Sequence, residues 1–149
     1  MNIIQKFKQS NFDKAIDLLI KENKKHRNRF MKESKKISGI LYLNSFCTVH
    51  CSAGRGIGKT NYIGNHATDK DIIILQDRAH VFYFTKQFNG HRFFNVYSID
   101  QVPNILKGRR FQDIYIDEPQ LCFKNYDKFK FYQDISFDGK DHTIIMLGE

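Results

Sequence analysis

The chain has no tryptophan, two prolines and three cysteines among its 149 residues, and each scarcity excludes something. So few prolines, with nine dispersed glycines, argue against long disordered linkers. Cys47, Cys51 and Cys122 form no pair of CxxC units, so no zinc site is expected. They read as small buried hydrophobes of a reduced, cytoplasmic protein. His66, His80, His91 and His142 show no metal-ligand spacing with acids or cysteines. No run of about 18 apolar residues is available to cross a bilayer, so no membrane partner is expected. The opening Met1–Lys8 mixes Gln and Lys with Ile and Phe, unlike a secretory leader.

Large apolar side chains and positive charge are plentiful. Fourteen Phe and seven Tyr supply the bulk for a core, and the length suits one compact domain. The net charge of +8 is unevenly spread: Lys21, Lys24, Lys25, Arg27, Arg29, Lys32, Lys35 and Lys36 face only Glu22 and Glu33. A polyanionic partner, nucleic acid first, accounts for this run, and so does a solvated helix face. Residues 1–40 are expected to be a basic helical N-terminal extension and residues 41–149 the core.

Phe12, Ile16, Leu19 and Ile20 lie on one helical stripe, predicting a helix over 11–36 capped by Asn11 or Asp13. Ile40–Leu43 is readable as a strand or a helix end. Phe46–Val49, Asp71–Leu75, Phe93–Ser98, Ile114–Ile116 and Thr143–Leu147 read as strands, most of them short apolar runs. Helices are expected over Lys59–His66, Ile99–Lys107 and Tyr126–Tyr132, while Val81–Phe88 is ambiguous. Such alternation predicts an α/β fold, a three-layer sandwich around four or five mainly parallel strands.

Two motifs carry chemistry. Ala53-Gly54-Arg55-Gly56-Ile57-Gly58-Lys59-Thr60 fits the P-loop pattern, with an apolar strand before it and a helical stretch after it. Glycines let backbone N–H groups curl round a phosphate chain, Lys59 meets the terminal phosphates, and the Thr60 hydroxyl reaches magnesium. Further on, Asp113-Ile-Tyr-Ile-Asp117-Glu118 is an apolar strand ending in two carboxylates. Asp117 is expected to hold magnesium and Glu118 to activate the attacking water, favouring hydrolysis.

These residues resemble the additional-strand, catalytic-glutamate class of P-loop NTPases, and in particular the ATPase core of phage terminase large subunits and related helicases. Ala53–Thr60 is similar to the GGRGSGKS-type loop of the terminases. Leu106-Lys-Gly-Arg-Arg-Phe-Gln-Asp-Ile-Tyr-Ile-Asp-Glu118 resembles their passage into the acidic strand, and Asp117-Glu-Pro-Gln120 the DExQ form of helicase motif II. The likeness covers roughly residues 45–149. It implies ATP and Mg2+ as ligands, Gln120 as a nucleotide-coupled residue, nucleic acid as partner and a host cytoplasm. It makes Arg55 either a charge-stabilising arginine or a surface one. Glu149 stands where those families have Ser or Thr, and no nuclease domain or second helicase lobe is seen. A protein partner or a second copy is therefore expected to supply an arginine finger.

Two alternatives stay open. Ile116-Asp-Glu-Pro-Gln-Leu-Cys-Phe123 is similar to the strand end of RecA-like thymidine kinases, in which Glu118 acts on a nucleoside hydroxyl, although their zinc segment is not seen. A nucleotide-binding regulatory module without turnover is the other. Phe82, Tyr83, Phe84, Phe88, Phe93 and Phe94, interleaved with Lys86, His91 and Arg92, read as core or as a stacking surface for single-stranded bases.

Overall fold

The computed structural model describes residues 10–34, 39–52, 54, 58–88, 95–105, 111–136 and 142–149, with side chains for all of these but 28–34. Five parallel strands form one sheet in the order β1-β5-β4-β2-β3. They are β1 (Thr48–Cys51), β2 (Ile72–Leu75), β3 (Asn95–Ser98), β4 (Asp113–Asp117) and β5 (Thr143–Leu147). Around them lie α1 (Asn11–Ser34), α2 (Gly39–Phe46), α3 (Lys59–His66), α4 (Arg78–Gln87), α5 (Val102–Ile105), α6 (Pro119–Cys122) and α7 (Lys128–Ser136).

The apolar runs are unbroken because both sheet faces are covered. Ile72, Ile74, Ile114, Ile116, Ile144 and Met146 point to one side, packing with Leu43 of α2, Val102 and Ile105 of α5, and Phe131 and Ile135 of α7. Their neighbours Ile73, Leu75, Tyr115, Ile145 and Leu147 point to the other, against Ile16 of α1, Tyr62 and Ile63 of α3, and Phe84 of α4. Each fully buried Ile contributes roughly 1.5–3 kcal/mol relative to exposure. This gives an α/β protein with an all-parallel sheet between two helical layers.

Local chemistry sets several boundaries. The start of α1 is capped by Ser10, not by Asn11 or Asp13: its Oγ accepts from the Asp13 N–H at 3.1 Å and donates to the Asp13 carboxylate at 2.9 Å. Residues 40–46 are helical, which moves the first strand to Thr48. The ambiguous 81–88 stretch is helical up to Gln87, in a helix that Asp77 caps by accepting from the His80 N–H at 2.8 Å. Asp127 does the same for α7, accepting from the Phe129 N–H at 2.9 Å, so this helix starts two residues later than expected. Of the expected helix over 99–107, Ile99–Gln101 is a 3-10 turn, Val102–Ile105 is α5, and the rest lies outside the described residues.

α1 is a full member of one layer. Ile16 is completely buried, and Asp17 accepts from the Tyr62 hydroxyl of α3 at 2.7 Å. The basic run is partly spent on this docking. Arg27 is buried, donating to the His142 carbonyl at 3.4 Å and to Thr143 Oγ1 at 3.1 Å, while Lys24 pairs with Asp113 at 3.2 Å. Lys21 and Lys25 are exposed. The aromatic cluster also divides: Phe84 and Phe88 are core, Phe82 and Tyr83 are on the surface, and residues 91–94 lie outside the described set.

Candidate functional site

In a parallel sheet every strand delivers its carboxyl end to the same edge, so the residues after β1 and those after β4 meet there. β5 lies between these two strands and ties both ends. The Gly148 N–H donates to the Cys51 carbonyl at 2.9 Å, and the Glu118 N–H donates to the Leu147 carbonyl at 2.9 Å.

Of the expected phosphate loop, Gly54 and Gly58 are described and Ala53, Arg55, Gly56 and Ile57 are not. Gly58 has φ of 95° and directly precedes α3, whose first turn it closes by accepting from the Tyr62 N–H at 2.8 Å. Among the described residues a β-carbon there meets nothing within 4 Å, and the positive φ is what favours glycine. α3 begins at Lys59, so the N–H groups of its first turn have no partner within the helix.

The two motifs converge side chain to side chain. Thr60 Oγ1 donates to Asp117 Oδ2 at 2.7 Å, and Lys59 Nζ lies 2.7 Å from Glu118 Oε1. Both Lys59 and Asp117 are 8% exposed. The second oxygen of Asp117, Oδ1, is buried and has no hydrogen-bond partner among the described residues. Burial raises the Asp117 pKa above the usual carboxylate range and the neighbouring Glu118 charge adds to this, against the Thr60 hydrogen bond and the Lys59 charge. Behind it, the Cys122 thiol donates to the Asp117 carbonyl at 3.4 Å, and burial pushes that thiol up to about 12.

Glu118 adopts φ of 52°, the left-handed region, and opens α6. Its carbonyl accepts from the N–H groups of Leu121 and Cys122, and Pro119 fills the first helical position. Gln120 is exposed, and its N–H donates to the Glu149 carbonyl at 2.7 Å. Both border a small cavity of about 90 Å³ with Ser52, Gly54 and Lys59. Nothing among the described contacts puts Gln120 on Lys59 or Thr60.

No family model matches the chain, and a search of curated proteins finds no match.

An open cleft of about 500 Å³ lies over Gly58, Lys59, Thr60 and Glu118, within the usual size range of a small-molecule site. Asn61, Gln87 and Leu121 complete its wall, and the Gln87 amide donates to Asn61 Oδ1 at 3.1 Å. Sequence reasoning missed all three. Asn61 was findable, because it follows Thr60 directly; Gln87 comes from the end of α4 and carries no local signal.

The donor set suits a hard divalent cation. A buried, unpartnered carboxylate oxygen beside a threonine hydroxyl is oxygen ligation of the kind magnesium takes when water and phosphate complete its shell. Among the described residues no group of three or more His, Cys, Asp or Glu could hold a metal. Asp117 with Thr60 is the pair that could hold such a cation.

Proposed function

We propose that the protein is a P-loop NTPase that binds ATP with magnesium and hydrolyses it. The observation that carries this reading is the meeting of Lys59 and Thr60 with Glu118 and Asp117, each pair at 2.7 Å, beneath an open cleft. The sheet order supports it as well, since one strand is interposed between β1 and the acidic strand β4, as expected for the additional-strand class.

In this reading the first turn of α3 and Lys59 hold the β- and γ-phosphates. Thr60 and Asp117 hold magnesium, which neutralises phosphate charge when bound. Glu118 orients the attacking water and takes its proton, a task for which Lys59 must first give it up. Chemistry of this type depends on placement and charge rather than a covalent intermediate. Action on nucleic acid, by analogy with terminases and helicases, is the finer part of the proposal. It draws on the +8 charge, on exposed Lys21 and Lys25, and on exposed Phe82 and Tyr83. A second copy or a partner is proposed as the source of an arginine finger.

A nucleoside-kinase reading has one observation in its favour: the amides of Asn61 and Gln87 line the cleft beside Glu118 and suit a base or sugar edge. One experiment separates the two. Phosphate release from magnesium-ATP is measured alone, with single- or double-stranded DNA, and with nucleosides, beside Lys59→Ala and Glu118→Gln. Hydrolysis abolished by Lys59→Ala and cut by about 10²–10⁴ in Glu118→Gln is expected. Phosphate recovered on a nucleoside instead of in water selects the kinase. Nucleotide binding with neither product reduces the protein to a binding module.

A further inference from the structure

Gly148 directly follows β5 and has φ of 129°, a conformation that favours glycine. A β-carbon there would stand 2.7 Å from Glu118 Oε2 and 3.1 Å from Glu118 Cα. The Glu118 carboxylate thus fills the volume that a side chain at 148 would occupy. Its other oxygen, Oε1, is the one on Lys59. The surrounding backbone leaves little freedom: Glu118 is held by its N–H to the Leu147 carbonyl, and Gly148 by its N–H to the Cys51 carbonyl at the end of β1.

We propose that Gly148 is a positioning residue: its bare Cα is the seat that lets the Glu118 carboxylate lie against Lys59, so that phosphate and Glu118 compete for one ammonium group. The competition rests on Lys59 being the phosphate ligand, as proposed above. An alanine at 148 pushes the carboxylate off its seat, with two consequences of opposite sign. Lys59 is released, and nucleotide binds about three- to tenfold more tightly. Glu118 is displaced from the water it must orient, and kcat drops by about 10–100-fold. A residue that merely supported the fold would weaken binding and turnover together.

The test compares wild type, Gly148→Ala, Glu118→Ala and the double variant. Magnesium-ADP affinity is measured by calorimetry, melting temperature without nucleotide, and kcat for the two proteins that keep Glu118. Gly148→Ala should tighten ADP binding when Glu118 is present and leave it unchanged when residue 118 is alanine. Its loss of melting temperature should be several degrees larger in the Glu118 background. The cost of positive φ is common to both backgrounds and cancels in the cycle. Additive melting shifts, or equal ADP affinity with and without the substitution, would overturn the proposal. If none of the four proteins binds nucleotide, the proposed function fails, while the melting cycle still decides whether Gly148 seats Glu118.

Discussion

At the residue scale, Asp117 is placed where a carboxylate is expensive to keep. It is almost fully buried, one oxygen has no partner among the described residues, and burial raises its pKa. A raised native pKa means that the folded state holds the proton more tightly than the unfolded chain. Stability on this account falls as pH climbs from the ordinary carboxylate value through the raised one. Asp117→Asn removes the charge and keeps an acceptor for Thr60, so it should raise ligand-free stability by about 1 kcal/mol near neutrality. The advantage over wild type should shrink below the carboxylate range, as melting curves against pH will show. The same variant should lose its response to magnesium. The meeting of Lys59 and Thr60 with Glu118 and Asp117 was legible in the sequence because each motif is a fixed local pattern that follows a strand, and a parallel sheet brings those strand ends to one edge. The conformation of Glu118 was not, since φ of 52° at a non-glycine residue leaves no compositional trace. Nor was the closeness of Gly148, which arises only when β4 and β5 pair.

At the scale of elements, α1 and α3 are joined through Tyr62. Its hydroxyl donates to Asp17 at 2.7 Å, its ring stacks on His66 with centroids 4.0 Å apart, and Phe12 meets it edge-on. The helix that starts the candidate phosphate site is thereby fastened to the long basic helix. Tyr62→Phe keeps the rings and deletes one charge-assisted hydrogen bond. It should cost about 1–2 kcal/mol in urea unfolding, with the m value unchanged. Amide exchange in α1 should quicken more than exchange in β4, which is the observation that separates loosened docking from general damage. The central strands β2, β4 and β5 were legible because both of their faces are buried, leaving Ile-rich runs. Residues 40–46 and 81–88 were not, because a short apolar stretch suits either period. The deciding features were the Asp77 cap in one case and packing of α2 against α7 in the other.

At the scale of the whole molecule, the positive charge divides into a structural part and a free part. Composition cannot make that division, because eight cations in sixteen residues look alike until one of them turns inward. Arg27→Met removes the donors to the His142 carbonyl and Thr143 Oγ1 and should cost about 2 kcal/mol of stability. Lys21→Gln with Lys25→Gln should leave stability within about 0.5 kcal/mol of wild type. If nucleic acid lies on that face, the pair should reduce the salt slope of DNA binding by about 2; an unchanged slope moves the contact elsewhere. The sheet order carries a last consequence, for how the chain is made. β1 pairs with β5 and with no other described strand, and Thr48 and Ile144, partners in that ladder, are roughly a hundred residues apart. On the ribosome β1, the strand before the expected phosphate loop, must wait for its partner until residues 143–147 have emerged. The candidate site therefore stays incomplete, and the nascent chain open to chaperones or misassociation, until residues 143–147 are available to pair.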